Sequence, residues 1–268
     1  MLVDVGPGAW RGAHFAGLPP AEIDSVFLTT FLVENIADLG EVLIGSWIAG
    51  RTGPLRVYGP VGTTQVVQRI VDAYRVDVAM RTSRHDPRVL DARVADALVI
   101  EFDLEDENGS ALVYEHGGLR VTAFGLDTVG DVPVVGYRFD HKGRAVVIGG
   151  HARPSEKFVR FATGSDVLVH EAAHPAMIQR GIQVMRELGD HRLASFSSEM
   201  LRSHASPVDV ARTARAAGVG RLVFTRVYPP PNHPLIRWAL LREVHSIFPA
   251  AVLGEDGMRF RLDPKDVP

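Results

Sequence analysis

Eleven histidines and no cysteine set the chemical repertoire of this chain. Without a thiol there is no disulfide framework, no thiolate metal site and no cysteine nucleophile. Acid–base work falls to imidazoles and carboxylates that stand in suggestive company. Glu34 precedes Asn35, His151 follows a Gly149-Gly150 pair, and Glu171 follows His170. His204 stands just ahead of Ser206-Pro207, and Arg226 just ahead of Tyr228. A positioned acid or base contributes ~10²–10⁴ in rate, and an arginine fork adds donors for an anion. Each group also has a plain structural reading. His204 can cap or pack at a helix start, Glu171 can be a buried acceptor, and His151 can simply line a cavity. His170 reads as packed, and the scattered histidines, such as His14, His85 and His116, as surface or core. Gly6-Pro7-Gly8 reads as a turn, because no helix follows a G-x-G-x-x-G spacing.

A length of 268 residues, 46% of them hydrophobic and 23% charged, fits one large globular domain. The net charge of −3, with no long basic run, argues against a duplex or RNA partner, which would want a basic face. The segment from Met1 to Gly8 has neither the basic nor the apolar part of a signal peptide. No apolar run approaches the ~20 residues of a membrane-spanning helix. A cytoplasmic protein with no membrane partner is the expectation, and the lack of cysteine fits it.

The elements that must position these groups alternate. Val26–Leu28 and Leu55–Tyr58 read as strands, and 37–48 and 63–74 as helices from their apolar spacing. Residues 81–97 are polar and stay unassigned. Strands at 97–102, 111–114, 119–124, 134–139 and 145–148 are separated by turn signals at Asn108-Gly109, Gly117-Gly118 and Lys142-Gly143. Beyond a strand at 167–169, a helix is expected over 175–188. Ser206-Pro207-Val208-Asp209 starts another, with a serine cap, proline in the first turn and an early acid. That helix stops at Ala217-Gly218. A strand at 221–225, a helix at 235–247 and a strand pair over 250–262 close the chain. The proline-rich run after Tyr228 should wall the mouth of a site. The segment 175–200, with Met177, Met185, Phe196 and Met200, reads as a core helix, a lid or a dimer face.

Phe27-Leu28-Thr29-Thr30-Phe31-Leu32-Val33-Glu34-Asn35-Ile36-Ala37-Asp38-Leu39-Gly40 resembles the T-H-x-H-x-D-H segment of metallo-β-lactamase-fold hydrolases, in the ribonuclease Z and arylsulfatase-like branch. Other landmarks follow in order. Asp4-Val5-Gly6-Pro7-Gly8 is similar to the early D-x-G-x-G turn, Tyr58-Gly59-Pro60-Val61-Gly62-Thr63 to Y-G-P-x-G-T, and Gly136-Tyr137-Arg138-Phe139 to a G-Y-R-F strand. Val146 to Ala152 falls where V-V-I-S-G-D-T is expected. His170-Glu171 resembles the H-E strand end, His204-Ala205-Ser206-Pro207 the H-x-S-P helix start, and Phe224-Thr225-Arg226 the L-T-H position. The resemblance covers essentially the whole chain. It implies an α/β fold, the αββα sandwich of two mixed sheets flanked by helices, as one domain over residues 1–268. Relatives carry a strand hairpin ahead of the segment matching Leu2-Val3-Asp4, which here is not seen.

Carried over position by position, the resemblance puts Thr30, Leu32 and Asn35 where the first motif has histidines, and Glu34 where it has aspartate. Thr128 and Arg226 replace further histidines, and His151 the bridging aspartate. Leu32 has no donor atom, and an arginine repels a dication. The reading is therefore that the zinc site is lost, with no metal and no cofactor. Glu34, His151, His204 and Glu171 would form a metal-free acid–base set, with Glu171 orienting His204 as in the proton relay the resemblance implies. Arg226, Asn35, Thr30, Thr128 and Tyr228 would bind an anionic substrate group. The expected function is a metal-independent enzyme on a small organic substrate, a cyclisation, isomerisation, elimination or lactone-type step in biosynthesis, acting as a homodimer. A non-catalytic pseudoenzyme and a hydrolase with an unusual metal set are the alternatives.

Overall fold

The computed structural model describes residues 1–104, 109–127, 133–151, 153 and 155–265. The chain divides into two compact units, Met1–Glu107 and Asn108–Pro268.

The first unit runs β1 (Leu2–Val3), α1 (Ala9–Phe15), a 3-10 turn (Pro20–Glu22), β2 (Ser25–Phe27), α2 (Val33–Ile36), α3 (Leu39–Ile48), β3 (Leu55–Pro60), α4 (Thr63–Thr82) and β4 (Ala97–Phe102). Its sheet has the order β1-β2-β3-β4, parallel throughout. Parallel neighbours need a crossover, and α3 and α4 supply two of them. Val26, Leu28, Val42, Leu43, Trp47, Leu55 and Val57 share one buried cluster. Phe27 and Tyr58, paired across β2 and β3, stack with ring centroids 4.5 Å apart. The turn before α1 fixes a glycine: a Cβ on Gly6 would stand 2.0 Å from the Glu34 carbonyl oxygen.

The second unit contains β5 (Ser110–His116), β6 (Leu119–Gly125), β7 (Val135–His141), β8 (Arg144–Ile148), α5 (Glu156–Ala162), β9 (Val167–Ala173), α6 (Pro175–Glu187), α7 (His191–Ser203), α8 (Pro207–Ala216), β10 (Arg221–Tyr228), α9 (Pro234–Ile247) and β11 (Ala251–Leu253). Its sheet has the order β11-β10-β9-β8-β7-β6-β5. From β5 to β8 it is an antiparallel meander, and from β8 to β11 it is parallel. Phe158 of α5, Val210 of α8 and Val244 of α9 bury against Leu168 and Leu222 of the parallel half. Among the described residues, no helix is long and apolar enough to cross a membrane.

Several elements differ from the expectation. The helix expected at 63–74 continues to Thr82, since no glycine or proline stops it. Helices α1, α5 and α7 had no assignment of their own. Two of them carry side-chain caps: the Phe158 N–H donates to Ser155 Oγ (3.4 Å) and the Leu193 N–H to Asp190 Oδ1 (2.8 Å). The strand pair expected over 250–262 reduces to β11, and Glu255-Asp256-Gly257 turns without a return strand among the described residues. Asn108 of the expected Asn108-Gly109 turn lies outside the described residues.

A half-buried charge ties β8 to the loop before β9. The Asp166 carboxylate accepts the Ala145 N–H (2.8 Å) and pairs with Arg144 (2.8 Å) and Lys265 (2.9 Å). Burial pushes its pKa up, but these partners outweigh burial and hold it down from 3.8 to about 2. A folded value below the unfolded one stabilises the protein above the ordinary carboxylate range, and that contribution is lost as pH falls from 3.8 through about 2. Asp166→Asn should therefore flatten the acid limb of a urea-unfolding stability profile in that window. An unchanged slope would show that Asp166 is not part of the acid transition.

Candidate functional site

Three side chains converge where the parallel strands of the second unit end. Ladders in parallel register carry β8, β9 and β10 toward the same edge, and the carboxyl ends of such strands are where open α/β sheets place ligands. His151 follows β8 after Gly149 and Gly150. Glu171 lies within β9. His204 ends α7, with extended backbone and its N–H on the Met200 carbonyl (3.1 Å). The next residues hold it in place. The Ala173 N–H donates to the Ala205 carbonyl (2.8 Å). Ser206 caps α8, accepting from the Asp209 N–H (3.1 Å) and donating to Asp209 Oδ2 (2.7 Å).

His204 Nδ1 is 2.8 Å from Glu171 Oε1, and His151 Nδ1 is 3.3 Å from Glu171 Oε2. The two imidazoles meet edge to face, with centroids 4.1 Å apart. Both Nδ1 atoms and both carboxylate oxygens are fully buried, and the imidazoles face the carboxylate from hydrogen-bonding distance. Burial alone would raise the Glu171 pKa, but the two imidazoles outweigh it and bring it down to about 2, so the carboxylate is ionised at neutral pH.

Two imidazoles and a carboxylate that face one another are a donor set of the kind that binds a divalent ion. One ligand atom from each of His151, Glu171 and His204 lies within 4.8 Å of the others. Ligands at ~2.0–2.2 Å from a tetrahedral zinc ion stand roughly 3.3–3.6 Å apart, and imidazole with carboxylate is an ordinary zinc set with one position left open. The residues therefore fit a divalent metal.

Beside the cluster, β10 bulges at Arg226. Thr225 pairs with Glu171 and Val227 with Ala172, and Arg226 is left between them at φ 48. A left-handed arginine is uncommon, and such backbone clusters at functional sites. Its side chain is exposed, with no carboxylate at ion-pairing distance among the described residues of its unit. Tyr228 is half-buried beside Ala173 and Ile178. His170 is fully buried against Phe158, its Nδ1 2.7 Å from the Glu171 carbonyl oxygen, and burial lowers its pKa.

The first-motif residues behave differently. Asn35 is buried and donates its amide to Asp4 Oδ2 (2.7 Å) and Thr29 Oγ1 (3.1 Å). Thr29 adds its N–H (2.8 Å) and hydroxyl (2.7 Å) to the same carboxylate. Thr30 is fully buried with no partner for its hydroxyl among the described residues. Glu34 is exposed on α2. Thr128 lies outside the described residues. Sequence reasoning singled out His151, Glu171 and His204 but not the Asp4–Thr29 pairing, whose only signal was the aspartate of the D-x-G turn.

Two sheets with outer helices, and an imidazole–carboxylate cluster at strand ends, define a metallo-β-lactamase fold. The human tRNase Z, short form, superposes with TM-score 0.63 at 21% identity, over 96% of this chain and 85% of that one. The metallo-β-lactamase fold protein YhfI from Bacillus subtilis gives 0.62 at 18% identity, over 96% and 85%. The chain belongs to the ribonuclease Z family. Ribonuclease Z of Mycobacterium bovis (strain BCG / Pasteur 1173P2) is 30% identical over 85% of this chain and 76% of its own length. That of Mycobacterium sp. (strain KMS) is 28% identical over 98% and 86%. No family model matches the chain.

These relatives overturn the expected function. A metal-independent cyclase, isomerase or lyase on a small organic substrate, acting without nucleic acid, does not stand beside relatives named as ribonucleases over most of the chain. The pseudoenzyme alternative and the metal-free cavity are corrected with it, because His151, Glu171 and His204 form a set able to hold a metal. Two inferences failed for physical reasons. A net charge of −3 is a sum and does not report the field at one site. Loss of ligands from one motif also does not forbid a set drawn from others.

Gly149 supports the cluster from below: a Cβ there would meet His170 Cδ2 at 2.4 Å and the Phe158 ring at 3.1 Å. Gly149→Ala should therefore lower stability by about 1–3 kcal/mol and shift the His151 and His204 imidazole NMR signals. Unmoved signals would show that the glycine does not position the cluster.

Proposed function

We propose that this protein is a metal-dependent ribonuclease that hydrolyses phosphodiester bonds in RNA, with tRNA precursors as its substrate class. The observation that carries this reading is the His151–Glu171–His204 cluster, in which one ligand atom from each residue lies within 4.8 Å of the others. The substrate class comes from relatives named ribonuclease Z and tRNase Z. The cytoplasm is the compartment this reading takes, as the sequence led us to expect.

His151 and His204 would hold the metal through Nδ1, and Glu171 through a carboxylate oxygen. A bound divalent ion supplies Lewis acidity, water activation and neutralisation of phosphate charge. Glu171 brings its negative charge without a titration near neutrality, since its pKa is about 2. Arg226 extends from the bulge beside Glu171 and binds the non-bridging phosphate oxygens as charge builds on them. Tyr228, two residues on, orients the adjoining part of the substrate. Asn35 and Thr30 have no direct role in this scheme, since the Asn35 amide is committed to Asp4 and Thr29.

Metal analysis by plasma mass spectrometry, on protein loaded with zinc or manganese and desalted, should give close to one ion per chain, and Glu171→Gln should lose it. The loaded protein should cleave a tRNA precursor. A chain that retains no metal and leaves the precursor intact would refute the reading. Arg226→Ala should lower kcat/KM on that precursor by ~10–10³-fold with metal content unchanged. An unaltered rate would remove Arg226 from phosphate binding.

A further inference from the structure

Arg51 in the first unit holds a charge that nothing above explains. It follows α3 and is 4% exposed. Its Nε donates to Ser46 Oγ (2.9 Å), one terminal nitrogen to the Leu43 carbonyl (3.1 Å) and the other to the Gly53 carbonyl. All three acceptors are neutral. Each terminal nitrogen carries a second N–H, for which there is no acceptor among the described residues of the unit. Among the described residues of the unit, no carboxylate lies at ion-pairing distance of it. Asp24 acts on Arg51 only through its longer-range field and is itself paired with Arg56. Burial lowers the Arg51 pKa to about 10, as for a cation with too little compensation. The negative end of α3 supplies part of the balance, but only as a partial charge.

Arg51 lines a cleft of about 820 Å³, together with Trp47, Thr52, Val89, Arg88 and Arg93. The volume is that of a small-molecule site, for which ~300–1,000 Å³ is usual. Arg88 and Arg93 are 90% exposed and are each gripped through two nitrogens by Asp86 and Asp91, so an anion at the mouth would share them with these carboxylates. Three arginines, one of them buried, thus line one cleft against a single acidic residue, Asp91. A planar fork matches the oxygens of phosphate, and several cations suit a dianion better than a singly charged carboxylate. Pro87, Val89 and Val94 form an apolar wall for an organic body.

We propose that this cleft binds a phosphorylated organic molecule about the size of a nucleoside monophosphate, with Arg51 at its base and Arg88 and Arg93 at its mouth. The site lies wholly within the first unit and does not rest on the ribonuclease reading. Isothermal titration of the whole chain with AMP should show saturable binding, with inorganic phosphate weaker and adenosine or benzoate silent. The double variant R88A/R93A, whose side chains touch no core, should weaken AMP binding about tenfold or more with an unchanged Tm. R51K should weaken it further. Absence of AMP binding would overturn the proposal, as would binding that R88A/R93A leaves intact. AMP binding lost in E171Q but kept in R88A/R93A would assign the nucleotide to the metal cluster and overturn it equally.

Discussion

An ionised carboxylate inside a protein is costly unless something compensates its charge, and this chain meets that constraint in different ways. Asp4 is surrounded by neutral donors: the Thr29 N–H, the Thr29 hydroxyl and the Asn35 amide. These bonds pin the first turn to the segment after β2 and to α2. Glu171 is buried, and the imidazoles of His151 and His204 facing its two oxygens hold its pKa down to about 2.

The rest of the second unit follows from holding that cluster together. Parallel strands β8, β9 and β10 deliver Gly149, Glu171 and Arg226 to one edge in fixed register. Helices α5, α8 and α9 bury the opposite requirement, an apolar face that lets the strands run without solvent. The bulge at Arg226 interrupts the ladder beside Glu171, so a guanidinium stands at the rim where a regular strand would turn that side chain elsewhere. His204 is fixed from the other side by the capped start of α8.

The ribonuclease Z frame of this chain brings His151, Glu171 and His204 together as a group that could hold a metal ion. Hydrolytic chemistry needs ligand atoms of the right kind at the right separation, and strand ends can supply them from more than one motif. The three residues that converge here come from the segments matching the bridging position, the H-E strand end and the H-x-S-P helix start. In the first unit, Thr29 and Asn35 brace the Asp4 carboxylate instead.

Much of the fold was legible in the sequence because its cues are local. Turn glycines at Gly117-Gly118 and Lys142-Gly143, the Ser206-Pro207 helix start, and apolar runs such as Val167-Leu168-Val169 act over a few residues. The ordered landmarks fixed the superfamily and pointed to His151, Glu171 and His204. Helices α1, α5 and α7 were missed because their buried faces are short, and burial is granted by distant partners. What the cluster can hold was decided only in three dimensions. Whether two imidazoles and a carboxylate hydrogen-bond or leave room for an ion depends on angles and on separations of a few ångströms, set by strand register and a bulge. Residue types and spacing along the chain carry no such information.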